Sequence, residues 1–308
     1  MPKKQVLAKI LVPVDGSAPS IAGEEVAAMI AKSFNSKITA LHAVTHELMH
    51  PSFQRFAPET PEFVAGGPRP QAVPWVHVHA PGIDKTTAEL TSLYRNEGAD
   101  YLADAALLFK EEGVKSESKL IEHVSAAEAI LNEAKKGDYD LIILGQSGEK
   151  EKEAHLGSVA EKVSRQSPVP VLIARGKTTM SKMLVALDGS KTSEKALKCA
   201  ATLAKKLGSG ITLLHVQEAH LFNFRPELTK TIGKSILSSA AKKLKGLKFD
   251  QKLESGDPAK IITQTAEKGN YDLIVIGVRG RSSIGRLLLG DVANHVVHYA
   301  NRSVIIVK

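Results

Sequence analysis

The chain has 308 residues, 43% hydrophobic and 24% charged, which is ordinary globular usage and enough length for two domains with a core each. A net charge of +8 invites an acidic partner, but Lys242, Lys243, Lys245 and Lys248 read as a solvated helix end with no aromatic platform beside them, so nucleic acid is not expected. No apolar run reaches the length of a membrane span, and the lone cysteine, Cys199, falls on a helix face with Ala196, Leu197, Ala200 and Ala201, where it packs; a cytoplasmic protein without membrane association is expected.

In chain order, residues 8–14 form an apolar strand that ends at Asp15-Gly16-Ser17, and a helix is predicted from about Ser20 to Ser33. A second strand runs from Ile38 to Val44. Residues 45–84 then hold seven of the 14 prolines, Trp75 and the pair Gly66-Gly67, a composition that sustains neither a helix nor a central strand. His46, His50, His77 and His79 gather here, but no cysteine or carboxylate joins them at metal-ligand spacing, and ordinary solvated histidines account for them better. A helical pattern spans Asp84 to about Glu112. Strands near Glu117–Ile121 and Leu141–Leu144 follow, separated by a helix over 126–136; then come a helix from Gly157 and a last strand at Val169–Ala174.

The chain then repeats itself. Residues 10–17 align with 183–190, and Ile38-Thr39-Ala40-Leu41-His42 with Ile211-Thr212-Leu213-Leu214-His215, both at an offset of 173. Lys136–Ile142 matches Lys268–Ile274 at an offset of 132, and Val171-Leu172-Ile173 matches Val304-Ile305-Ile306 at 133. Two domains are expected, at 1–176 and 182–308, with 45–84 an insertion peculiar to the first and 176–181 a polar linker. Alternating apolar strands and helices predict an α/β fold, a doubly wound parallel sheet in each domain, with ligands held beyond the carboxyl ends of the strands where strand order reverses.

The repeat gives weight to one stretch in particular. Leu273–Ile276 reads as a strand buried on both faces, Gly277 and Gly280 punctuate the loop after it, and nine residues lead to Gly290 and Asp291 at the start of a helix. Glycine spacing alone is a weak signal, since strands also end at glycines without any ligand. Arg279, Arg281 and Arg286 in the same loop make phosphate the fitting anion, held by guanidinium groups and a helix N-terminus. Asp-Gly-Ser at 15–17 and 188–190 has its own plain reading as a turn before a helix cap, and His42 and His215 sit in strand patterns where packing or hydrogen bonding suits them better than catalysis.

Taken together, the strand ending in Asp-Gly-Ser, the Ile-Thr-x-Leu-His strand, the Tyr-Asp-Leu-Ile strand at 139–142 and 271–274, and the Gly-x-x-Gly loop with nine residues to a further glycine resemble the universal stress protein family. The likeness covers nearly the whole chain outside 45–84. It implies a tandem member in which two five-stranded sheets of order 3-2-1-4-5 form a pseudo-dimer in place of the family's usual dimer. It further implies an adenine nucleotide, ATP with or without Mg²⁺, held by the strand-one aspartate near the ribose, the end of strand two near the base, and the loop glycines and following residues around the phosphates. In the second domain these positions are Leu187, Asp188, Val216, Gly277, Arg279, Gly280, Gly290, Asp291 and Val292. In the first they are Val14, Asp15, Gly145, Gly148, Gly157 and Ser158.

Each copy departs from the pattern. Asp291 stands where the family places Ser or Thr, a good N-cap that nonetheless sets a carboxylate beside phosphate. The first copy keeps Gly157-Ser158, but its loop is one residue shorter and carries Glu149, Glu151 and Glu153. The second copy is therefore the expected nucleotide site and the first a degraded or altered one. A regulator that holds ATP with hydrolysis slow or absent fits best, because neither a nucleophile with a histidine base nor a GxxxxGK[ST] lysine is present. The alternative is a nucleotide-free scaffold that works through a protein partner at the insertion or through the pseudo-dimer surface, and a homodimer of the tandem chain is a further expectation.

Overall fold

The computed structural model describes residues 7–44, 83–122, 124–146, 156–176, 178–218, 224–280 and 289–308. The insertion, with its histidines, Trp75 and the start of the long helical pattern, lies outside them except for the backbone of its last two residues; so do Gly148, Arg281 and Arg286.

The first repeat runs β1 (Lys9–Pro13), α1 (Ala18–Phe34), β2 (Lys37–Val44), α2 (Ile83–Glu111), β3 (Lys115–Glu122), α3 (Ala126–Lys136), β4 (Leu141–Gly145), α4 (Ser158–Gln166) and β5 (Val171–Ala174). The second runs β6 (Lys182–Ala186), α5 (Lys191–Leu207), β7 (Gly210–Glu218), α6 (Pro226–Ala241), β8 (Phe249–Gly256), α7 (Pro258–Lys268), β9 (Leu273–Gly277), α8 (Asp291–Tyr299) and β10 (Ser303–Val307). Helix ends follow local chemistry: the Ser17 and Ser190 side chains cap α1 and α5, and α5 stops at Gly208, whose φ of 73° is the left-handed turn a C-terminal glycine supplies.

Each repeat has the expected strand order, and the two sheets join edge to edge into one ten-stranded sheet, β3-β2-β1-β4-β5-β10-β9-β6-β7-β8. Every pairing is parallel except the junction, where β5 and β10 run antiparallel, Val171 opposite Ile306 and Ile173 opposite Val304. The tandem pseudo-dimer is thus a continuous sheet rather than two stacked ones. Helices cover both faces, so the central strands are apolar throughout, with Ile142, Ile143, Ile274 and Val275 fully buried.

The Tyr-Asp-Leu-Ile strand recurs for a reason of register. Asp140 Oδ2 accepts from the Ala8 and Lys9 amides at 2.7 and 3.1 Å, and Asp272 Oδ2 accepts from the Lys182 amide at 2.9 Å, which pins strand four to strand one at its start. Among the described residues no helix is long and apolar enough to cross a membrane. Cys199 packs against the core from α5, as its helix face predicts.

Candidate functional site

Because β6 neighbours both β7 and β9, the carboxyl ends of these strands open a crevice at the point where strand order reverses. A cavity of about 480 Å³ lies there. All nine second-repeat positions expected from the sequence line it: Leu187 and Asp188 after β6, Val216 on β7, Gly277, Arg279 and Gly280 after β9, and Gly290, Asp291 and Val292 at the start of α8. Leu214, Ile262 and Ile276 supply apolar wall, while Ser193, His215, Gln217, Glu218 and Thr229 add polar wall.

Local bonds hold these parts in place. Asp188 Oδ1 accepts from the Ser190 amide at 2.9 Å, the turn expected of Asp-Gly-Ser, while its Oδ2 faces Gly280 so closely that a Cβ there would sit 3.0 Å from it. Thr192 and Ser190 both donate from their hydroxyls to the Arg279 carbonyl, which ties the loop after β9 to the first turn of α5. The Gly290 amide donates to Val278 O at 2.9 Å, and Val278 in turn to Val307 O at 2.8 Å, so the start of α8 is fixed to the end of β10. No side chain caps α8, and its first turn, Gly290 to Ala293, lines the cavity. The crevice thus combines an apolar slot, the carboxylates of Asp188, Glu218 and Asp291, one guanidinium and an uncapped helix N-terminus.

The first repeat holds a smaller counterpart of about 330 Å³, lined by Val14, Asp15, Gly145, Gly157 and Ser158 among others. Gly148 falls outside the described residues. Its Asp15 takes both the Ser17 amide and hydroxyl, at 3.0 and 2.6 Å. Behind it Glu24 is buried, accepting from Ser20 at 2.9 Å, and burial together with Asp15 and Asp104 pushes its carboxyl above the usual range. The second repeat has Leu197 at that position. The first crevice is thus backed by a buried acid that the second lacks.

Two stretches of the chain, residues 69–175 and 180–308, match the universal stress protein family model. The chain belongs to that family. A universal stress protein of Methanocaldococcus jannaschii is 32% identical over 148 residues, which span 44% of this chain and 87% of that one. One of Mycobacterium tuberculosis is 27% identical over 235 residues, 69% of this chain and 77% of its own, a span that crosses both repeats. The crystal structure of a universal stress protein from Archaeoglobus fulgidus, 22% identical, superposes with a TM-score of 0.67 over 98% of both chains and shares the fold.

Within this family framework several residues take roles that the sequence left open. His42 and His215 are structural: each donates from Nδ1 to the carbonyl at the end of the neighbouring first strand, Val14 at 2.7 Å and Leu187 at 2.6 Å. Gly277 and Gly145 line the cavities but also let a helix approach, since a Cβ on Gly277 would lie 2.7 Å from the Thr192 carbonyl carbon and one on Gly145 2.2 Å from Pro19 O. Asp291 is not the N-cap. Gly290 is, in extended conformation, and Asp291 is the first helical residue, where its charge still favours the helix dipole but its side chain leaves the end uncapped. Sequence reasoning missed the walls supplied by Gln217, Thr229, Ile232 and Pro258. For Gln217 a signal existed, because the repeat aligns it with the apolar Val44.

Among the described residues no three histidine, cysteine or carboxylate side chains gather as a metal centre.

Proposed function

We propose that this chain holds one adenine nucleotide, ATP, in the second-repeat cavity and serves as a stress-response regulator with little or no hydrolysis. The observation that carries the reading is convergence: Asp188, Arg279, the exposed backbone of Gly280 and the uncapped start of α8 meet at one crevice with an apolar slot beside them. About 480 Å³ is within the usual range for a small-molecule site, roughly 300–1,000 Å³. The Asp188 carboxylate suits ribose hydroxyls, and the loop backbone, Arg279 and the helix amides suit phosphate oxygens. Mg²⁺ enters only as counterion to those phosphates. The fit is to binding: the chain's contribution is to seat a base, a sugar and a phosphate chain in order.

Mass analysis of small molecules released on denaturing the purified protein tests this. Adenine nucleotide near one per chain, or a chain that takes up one added ATP, is the expected result; a chain that neither carries nor takes up nucleotide overturns it.

A second reading is a nucleotide-free interaction protein. It rests on Asp291 at the phosphate end and on an exposed apolar stripe along the start of α6, Phe224, Leu228 and Ile232, which are 88%, 50% and 38% exposed. The insertion at 45–84 as a partner site and a homodimer of the chain belong to this reading.

A further inference from the structure

Gln217 is a polar residue in a slot that the first repeat fills with an apolar one. It precedes the last residue of β7, it aligns with Val44 at the end of β2, and the two are buried alike, 5% and 6% exposed. Its register neighbour on β8 is Ser255, whose hydroxyl donates to Gln217 Oε1 at 3.2 Å. The other end of the amide, Nε2, is shielded from solvent and has no acceptor. Turning the amide over does not help, since Ser255 then satisfies one end and orphans the other. Folding pays for a buried N–H₂ left unbonded, and a Val at this position would avoid the cost entirely.

Gln217 is one of the residues that line the ligand cavity. Along this wall Val216 and Ile232 are apolar, His215 has spent Nδ1 on Leu187 O, and Thr229 donates within its own helix to Arg225 O and Pro226 O at 3.1 and 3.0 Å. Pro258, Ile262 and Val292 add apolar wall elsewhere around the cavity. A slot with largely apolar walls, with Glu218 also in its lining and an orphaned donor on Gln217, suits a flat heteroaromatic ring that carries an unprotonated ring nitrogen in its plane.

We infer that the Gln217 amide nitrogen, turned into the cavity when a ligand binds, is a base-selecting donor: it takes a ring-nitrogen acceptor of the bound purine, and this bond makes the second repeat the selective site while Val44 leaves the first without it. The inference rests on the nucleotide reading above, and it adds a residue that reads the base.

The test is calorimetric titration of the intact chain and of Gln217→Val with ATP and with its analogues in which N1, N3 or N7 of the adenine is replaced by carbon. Gln217→Val reproduces the first repeat's residue in the same strand position, and Ser255, exposed, finds water in its place. The expected result is a fivefold to tenfold loss of ATP affinity in the variant. One analogue should bind the wild type as weakly as the variant binds ATP, with no further loss when the two changes are combined. Free of ligand, the variant should melt no lower than the wild type, because an unpaired amide has been removed. Wild type and variant binding ATP equally well would overturn the role of Gln217 while leaving the nucleotide reading intact. A wild type that binds no nucleotide would overturn both.

Discussion

Arg175 and Lys308 occupy equivalent positions in the two repeats, and each reaches across the junction to a carbonyl in the last turn of the other repeat's final helix. Arg175 donates to Val297 O at the end of α8, and also to Arg302 O at 3.2 Å; Lys308 donates to Ser164 O at the end of α4 at 2.6 Å. Both cations meet a helix C-terminus, where the dipole favours them. Burial lowers the Arg175 guanidinium to about 10, and burial with nearby Arg279 lowers the Lys308 ammonium to about 8.

Replacing Arg175 with Met should therefore cost stability, by about 2–3 kcal/mol, because two carbonyls at the junction lose a charged donor at once. Lys308→Met, which loses one bond, should cost less. Urea unfolding of the intact chain checks the order, and a loss under about 0.5 kcal/mol for Arg175→Met would contradict it.

Lys308 also carries a pH dependence of definite sign. Its folded value lies below the ordinary 10.5, so between about 8 and 10.5 the unfolded chain binds the extra proton and stability rises with pH through that window. Subtracting the Lys308→Met profile from the wild-type profile isolates this contribution from the other lysines. A difference that falls across the same window would refute the placement of Lys308.

The loop glycines of the second repeat should separate into two kinds. Gly277→Ala drives a Cβ to within 2.7 Å of the α5 backbone and should destabilise the fold by about 2–3 kcal/mol. Gly280 is exposed and meets only the Asp188 carboxylate, so Gly280→Ala should change stability by no more than about 0.5 kcal/mol. Thermal melts of the two variants decide this directly.

Glu24 offers a test in the first repeat. Its folded value is raised by burial, so its protonated form is the one that folding favours; the stability it contributes is full below the ordinary 4.5 and is lost as pH rises through the raised value. Glu24→Gln keeps the Ser20 contact without the buried charge, and should add about 1 kcal/mol at pH 7 and nothing near pH 4. Equal effects at both pH values would show that the charge is not the cause.

Much of this was legible in the sequence because the chain carries its own comparison. The offset of 173 paired Asp15 with Asp188 and His42 with His215, alternating apolar strands and helices predicted the doubly wound parallel sheets, and the strand order came from the family resemblance. Other features depend on what the backbone does in three dimensions. Whether Gly290 or Asp291 caps α8 turns on one residue's extended ψ, which composition does not encode. The antiparallel β5–β10 junction arises from two edges that meet only after both sheets have formed. Gln217 escaped notice because a polar residue near the end of a strand usually faces water; its alignment with Val44 hinted at burial, and its buried, orphaned nitrogen marks it out.

Asp291 remains the residue where the reading of the site is sharpest. It lines the cavity at the first helical position, which in the proposed nucleotide site sets its carboxylate beside the phosphates. Two unit charges about 4 Å apart at an effective dielectric near 20 interact by roughly 4 kcal/mol, an upper guide that solvent and Mg²⁺ reduce. Asp291→Ser should tighten ATP more than AMP, whose single phosphate lies farther off. Equal changes for the two nucleotides, or weaker ATP binding, would show that Asp291 does not oppose the phosphates.

The central claim, a nucleotide site in the second repeat formed around Asp188 and Gly280, is tested most directly by calorimetric titration of the intact chain and of Gly280→Val with ATP. One ATP per chain in the wild type, with affinity lost at least tenfold when the valine crowds Asp188, is the result predicted. Two equivalent ATP per chain, none, or unchanged affinity in Gly280→Val would contradict it.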